Sequence, residues 1–317
     1  MKLQPNLFGI DNSMQIPSIP YMGNKRKLAT RIINTITDLL GQDFEHFYDL
    51  FGGGGSMSVA ALNLWGVDVH YNELNTAIAN LMKHIQGGGE IPYKWVTREE
   101  FFKCLGGDTW WDGLVQSCWS FGNKQSSYLY GKDIEDIKYL GHRICVDKDA
   151  EAVKLLQKEI GHPLKLDLSK GIHEIRIDLK NQCEELNLIE NLQRNVHLER
   201  LQQHLQHLQH LQHLQHLQHL QITNKSYDQV ETKENSVIYC DPPYIGTGEY
   251  KEGGFDHEKF YKWAMENKNP VFISEYRMPE EFKVVNSFKH KSTLSATNNN
   301  KHVIENLYWN GKTLNKN

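Results

Sequence analysis

Long apolar runs are missing from this 317-residue sequence, and its first residues lack a charged-then-apolar leader pattern. No stretch of 18 apolar residues is present, so neither a membrane span nor an export signal is expected. Cysteine is scarce and odd in number: Cys104, Cys118, Cys145, Cys183 and Cys240 stand apart, with no C-x-x-C pair. That pattern argues against a disulfide framework and against a thiolate zinc cluster, and suits a reducing, cytoplasmic setting. A basic excess is missing too. The net charge of −4 provides no overall field for nucleic acid, so phosphate contact would need a local groove. What remains is ordinary globular usage, 39% hydrophobic and 23% charged, in a length that suits one large domain with a substantial insertion.

Only nine prolines occur, yet two adjoin in Val237-Ile238-Tyr239-Cys240-Asp241-Pro242-Pro243-Tyr244. The apolar residues read as a buried strand. Neither proline has an N–H for a sheet ladder, so the strand ends at Asp241 and leaves stiffly. A carboxylate, backbone carbonyls and a tyrosine ring then stand at the carboxyl end of a strand, the edge where open α/β sheets bind ligands. Such a set suits a flat molecule with an exocyclic amine: oxygens accept its N–H groups and the ring stacks on its face. A plain proline turn fits that stretch equally well when it is taken alone.

Near the N-terminus, Tyr21-Met22-Gly23-Asn24-Lys25 precedes a helical stripe of Leu28, Ile32, Ile36 and Leu39, with Asn24 as its expected cap and Gly41 closing it. Phe47 to Phe51 reads as a strand, Gly52 to Gly55 as a glycine turn, and Ser56 as the cap of the following helix. A parallel strand over Val67 to Tyr71 ends at Asn72-Glu73. Glu73 follows Gly53 by 20 residues, the spacing at which an acid reaches a ribose hydroxyl in nucleotide-binding βαβ units. Strand, glycine turn, helix and acid together point to an adenosine-containing cofactor.

The middle of the chain is less regular. Trp110, Trp111, Trp119, Phe121, Tyr128 and Tyr130 crowd together among Asn123, Lys124, Gln125, Ser126 and Ser127. This mixture suits base stacking and base-edge contacts, and equally a small satellite core with polar loops. Helices are expected around 131–140 and 150–160. Residues 204–221 are six perfect copies of His-Leu-Gln. In an α-helix a three-residue step turns about 300°, so the leucines creep round the axis; a 3₁₀-helix would align them. α-helix, 3₁₀-helix and disorder all stay open. The histidines are read as low complexity with no metal role, and a perfect repeat suggests that copy number can vary without loss of the core. Next, 222–227 is expected to be a short strand leading to Asp228, on the same sheet edge as Asp49, Glu73 and Asp241. The glycine-rich 245–254 reads as a mobile loop over the site. Asp256 is expected to cap a helix, Val271 to Ser274 to form a buried strand, and 282–289 and 303–309 to pair antiparallel.

Taken together, Tyr21-Met22-Gly23-Asn24-Lys25, Asp49-Leu50-Phe51-Gly52-Gly53-Gly54-Gly55-Ser56, Asn72-Glu73-Leu74-Asn75, Asp228, Asp241-Pro242-Pro243-Tyr244, Phe255-Asp256-His257 and Ser274-Glu275-Tyr276 resemble the Dam-like, D12-class DNA adenine-N6 methyltransferases. The resemblance covers both ends of the chain. It implies an α/β fold: a Rossmann-like S-adenosylmethionine-dependent methyltransferase sheet, mixed but mostly parallel, with a C-terminal antiparallel strand and a mainly helical target-recognition insertion. The expected division is 1–85 and 222–317 for catalysis, 86–192 for target recognition and 193–221 for the repeat. The resemblance further implies Asp241, Pro242, Pro243 and Tyr244 as catalytic. It places Tyr21, Gly23, Lys25, Asp49, Phe51, Gly53, Gly55, Ser56, Glu73, Asp228 and Asp241 on S-adenosylmethionine, with Glu73 on the ribose. Trp119, Asn123, Lys124, Gln125 and Tyr128 are expected on double-stranded DNA, with neither membrane nor metal involved, in a monomer or weak dimer. A cytosine-N4 or RNA methyltransferase with the same pocket, or an inactive DNA-binding relative, is the alternative.

Overall fold

The computed structural model describes residues 16–123, 125–190, 203–212, 217, 219–244, 254–291 and 302–314. Seven strands form one sheet. In chain order they are β1 (His46–Asp49), β2 (Asp68–Asn72), β3 (Leu220–Thr223), β4 (Ser236–Cys240), β5 (Val271–Glu275), β6 (Lys283–Lys291) and β7 (His302–Trp309). Their spatial order is β3-β2-β1-β4-β5-β7-β6. The first five run parallel, and β7 is antiparallel to both of its neighbours. β1, β4 and β5 are buried along their whole length, as expected of strands covered on both faces.

Alternation along the strands assigns the two faces. Phe47, Val69, Tyr71, Val237, Tyr239 and Phe272 join the larger core, under α1 (Ala29–Leu40), α2 (Ser56–Leu64) and α3 (Thr76–Gln86). Tyr48, Leu50, Ile238, Cys240 and Ile273 point the other way, onto α10 (His257–Glu266), whose Phe260 and Ala264 are buried. Leu28 just before α1 and Ile32, Ile33 and Ile36 within it are buried, whereas Leu39 is exposed. Asn24 is not the cap of this helix. It turns the chain five residues earlier, accepting from Arg26 N and donating to Ser18 Oγ and Ile19 O.

Among the described residues between α3 and β3 lie six α-helices: α4 (Arg98–Lys103), α5 (Trp110–Cys118), α6 (Glu135–His142), α7 (Ala150–Ile160), α8 (Ile172–Glu190) and α9 (Gln203–Gln212). They share one continuous core with the sheet: Leu114, Val115, Ile144, Leu156, Ile175 and Leu179 belong to the same buried cluster as Phe47 and Val69. The repeat is part of that core. Its first three copies form α9, an α-helix in which Leu205, Leu208 and Leu211 are fully buried. Over three leucines the creep amounts to about 120°, which is still one apolar stripe. The sixth copy supplies Leu220 and Gln221 to β3, paired with Val69 and His70. The array is therefore not a dispensable segment outside the fold, and unrestricted variation in copy number is incompatible with this packing. β3 also starts inside the repeat rather than after it.

Candidate active site

β1, β2 and β4 end at one edge. Asp49 pairs in register with Tyr71 on one side and Tyr239 on the other, so Asp49, Glu73 and Asp241 leave the sheet together. Asn72 clamps these ends. Its side chain, 1% exposed, donates to Leu50 O and Lys225 O and accepts from Thr223 Oγ1 and Lys225 N. A buried amide ending a strand was the signal for it.

The glycine turn is shaped by the chain's own packing. Gly53 has φ +47°, the left-handed region where a side chain strains the backbone. A Cβ on Gly54 would lie 2.4 Å from Ile19 O, because Ile19 N donates to Gly54 O and draws residues 18–21 across the turn. Tyr21 packs its ring over Gly53. Gly55, φ +79°, occupies the cap position of α2, so Ser56 is the first helical residue rather than the cap. The capping role passes to Asp49, whose Oδ2 accepts from Ser58 N at 3.1 Å and Ser58 Oγ at 2.7 Å. Burial lifts the Asp49 carboxyl to about 7, against the pull of those two donors.

Glu73 is buried with each oxygen engaged: Oε2 accepts from Gly53 N at 2.7 Å and Oε1 from Asn75 N at 2.8 Å. Burial raises its pKa and the backbone N–H groups oppose this. A carboxylate oxygen keeps a second lone pair, so both contacts leave room for a hydroxyl donor. Asp228 lies in a 3₁₀ turn over 227–229, where Lys259 Nζ meets Oδ2 at 2.6 Å and Ser226 Oγ meets Oδ1 at 2.5 Å. These contacts, Lys259 first, hold its carboxyl below the usual range. Phe51 stacks on Tyr227 beside it, with ring centroids 5.6 Å apart.

Asp241 follows β4 and faces Lys25. The Lys25 ammonium lies 2.7 Å from Asp241 Oδ2 and 3.6 Å from Glu305 Oε1, and it donates to Gly23 O at 3.0 Å. It also sits 5.1 Å from the centre of the Tyr244 ring, and Tyr244 meets Tyr276 edge-on. Burial raises the Asp241 carboxyl to about 6, with Lys25 opposing and Glu305 adding to the rise. Burial disfavours the charge on Lys25, yet Asp241 and Glu305 outweigh it and hold the ammonium more firmly than usual. Asp241 Oδ1 is buried, and no donor meets it in hydrogen-bond geometry among the described residues. Glu305 was missed in the sequence. Its signal was alternation: it falls on the same strand face as buried Leu307, opposite exposed Ile304.

The residues expected on DNA do not stay together. Trp119 and Tyr128 are 1% and 5% exposed, and they stack on each other within a cluster that includes Trp95, Tyr130 and His204. Tyr128 donates its hydroxyl to Val96 O. These two rings are core, with no face left for a base; they belong to the main core that runs on from the sheet rather than to a satellite one. Gln125 is half-buried near the site, and its Oε1 accepts from Asn75 Nδ2 at 3.3 Å. Lys124, the Asn123 side chain and the loop 245–253 lie outside the described residues.

Compared with known protein families, residues 21–101 and 172–313 match the model of the D12 class N6 adenine-specific DNA methyltransferases, well over half of the chain. The chain belongs to that family. None of the curated proteins compared matches it. Both matched segments of this D12-class chain converge on the site: the first carries Lys25, the glycine turn and Glu73, the second Asp228, Asp241 and Glu305. The unmatched residues between them hold α5, α6 and α7. The coarse activity follows from membership: this is a DNA methyltransferase.

Proposed function

We propose that the chain transfers a methyl group from S-adenosylmethionine to N6 of an adenine flipped out of double-stranded DNA, at a specific sequence. The observation that carries this reading is the placement of Asp241 beside the glycine turn, at the shared end of β4 and β1. S-adenosylmethionine, when bound, supplies a methyl group on a sulfonium cation. The residues present suit such a cation on charge alone. Asp49, Glu73, Asp241 and Glu305 are four buried or largely buried carboxyl groups, and the Lys25 ammonium faces two of them, Asp241 and Glu305. Glu73 and Asp228 would hold the adenosine end, with Tyr21 and Phe51 beside it.

Adenine N6 is a weak nucleophile because its lone pair is delocalised into the ring. Asp241 Oδ1 accepts one N6 hydrogen and the Pro242 carbonyl the other. That pair of acceptors draws the nitrogen toward tetrahedral geometry and frees the lone pair for in-line attack. Alignment of this kind is worth roughly 7–11 kcal/mol. Flipping the base costs a few kcal/mol. Stacking on Tyr244 offsets part of it, at about 1–3 kcal/mol per base. Helices α4 to α8, with the surface around Gln125, would read the target sequence, and the protein would work in the cytoplasm on nucleoid DNA as a monomer or weak dimer.

Incubation of unmethylated plasmid DNA with tritiated S-adenosylmethionine, followed by mass spectrometry of the digested nucleosides, tests the reading. N6-methyldeoxyadenosine is the expected product. N4-methyldeoxycytidine would replace adenine by cytosine as substrate, and no label in either would overturn the proposal.

A further inference from the structure

The Lys25 ammonium holds the same carboxylate that must receive the substrate amine, on the oxygen next to the one left open for it. Asp241 Oδ2 is bound to it at 2.7 Å, in a site where Lys25 is only 6% exposed. While the ammonium holds Oδ2 it draws the carboxylate's shared charge to itself, and Oδ1 is a weaker acceptor for a neutral amine until the ammonium has another anion to turn to. Its neighbours are few. Among the described residues, Gly23 O holds one of its three hydrogens, the Tyr244 ring lies against it, and Glu305 is a second carboxylate, 3.6 Å away and 4% exposed. A shift of less than about 1 Å brings the ammonium to hydrogen-bond distance of Glu305. The exchange leaves the pocket's net charge unchanged and swaps one anionic partner for another.

We propose that Glu305 is a positioning residue: it takes the Lys25 ammonium from Asp241 Oδ2 as the target amine arrives, so that the full carboxylate charge is available to the N6 hydrogen at Oδ1. The inference rests on the methyl-transfer reading above and adds a residue to it. Glu305 touches neither base nor methyl donor in this role; it acts through Lys25. With no second anion, Lys25 stays on Asp241 Oδ2 and weakens Oδ1 as an acceptor for the base.

The test compares wild type, Glu305→Gln, Glu305→Asp and the double variant Lys25→Met with Glu305→Gln, all as the full chain. Label transfer to unmethylated plasmid DNA gives kcat and KM, and equilibrium dialysis gives the affinity for S-adenosylmethionine. In Glu305→Gln, kcat is expected to fall roughly 10- to 100-fold, the rate equivalent of one charged hydrogen bond, with cofactor affinity nearly unchanged. Glu305→Asp should recover part of the loss. The double variant should be faster than Glu305→Gln alone, because the competing ammonium is gone. A merely structural Glu305 would predict the opposite order, with the double variant slowest. A second readout does not depend on turnover. The ¹³Cε resonance of Lys25, assigned by its loss in Lys25→Met, should move when duplex DNA and S-adenosylhomocysteine are added to wild type and stay fixed in Glu305→Gln. Wild-type kcat in Glu305→Gln, or a Lys25 signal that stays fixed in wild type, overturns the proposal. A wild type that transfers no label sinks the methyl-transfer reading instead, and the Lys25 signal still decides on the exchange.

Discussion

Asp241 answers to two opposing demands. Burial favours its protonated form and Lys25 favours the carboxylate, which leaves it at about 6. Methyl transfer needs the acceptor form, so kcat/KM should climb as pH rises through about 6 and level off above it; a pH–rate profile on plasmid DNA checks this. Asp241→Ala should reduce transfer by roughly 100-fold or more, the scale on which one transition-state contact counts, while dialysis still detects cofactor binding. Stability follows a different rule. Asp49 is raised from 3.8 to about 7, so between those values the folded chain binds a proton that the unfolded chain does not. Stability from this group is therefore greatest at low pH and is lost as pH rises toward 7. The buried histidines work the other way. His142 and His207 are lowered from 6.5 to about 4 by burial, so the unfolded chain binds the extra protons there and stability is lost as pH falls through that window. Asp49→Asn should flatten the first slope, leaving the part that Asp241 and Glu73 contribute with the same sign, and keep the second, read as melting temperature against pH.

At the scale of elements, α9 shows what a repeat hides. His-Leu-Gln looks amphipathic in no register, yet its leucines fill the core. His204 bridges two buried groups, with Tyr130 Oη at 2.6 Å from Nδ1 and His142 Nδ1 at 3.0 Å from Nε2. Neither partner is near it in sequence, so spacing alone had no means of placing them. Trp119 and Tyr128 were ambiguous for the same reason: what covers their faces comes from elsewhere in the chain. The glycine turn was legible because strand, turn and helix are contiguous, although Asp49 rather than Ser56 meets the helix's open amides. Two experiments belong here. Removing one repeat yields a single product whichever copy is cut, and α9 can keep its three copies, so the five-copy chain should melt close to wild type. The two-copy chain cannot supply Leu205, Leu208, Leu211, Leu217 and Leu220, all buried, and at about 2–5 kcal/mol per lost leucine it should fail to fold, as circular dichroism would show. Gly54→Ala forces a methyl against Ile19 O and should cost roughly 1–3 kcal/mol in urea unfolding.

On the scale of the whole molecule, the motifs at both ends of the chain were legible, and so were the helices around 131–140 and 150–160; the packing of the middle was not, because it is held by long-range contacts. The sheet order places β7 between β5 and β6, although it is the last strand in sequence. Lys25 comes from the first matched segment, Asp241 from the second, and Glu305 rides in on β7. Translation at roughly 5–20 residues per second needs on the order of 3–13 s to pass from Pro243 to Trp309. Throughout that interval a ribosome-bound chain has its acceptor carboxylate but an unfinished sheet, and Lys25 has one anion instead of two. Newly made chains should thus be unable to mark the DNA beside which they are synthesised until that final ribbon has slotted home.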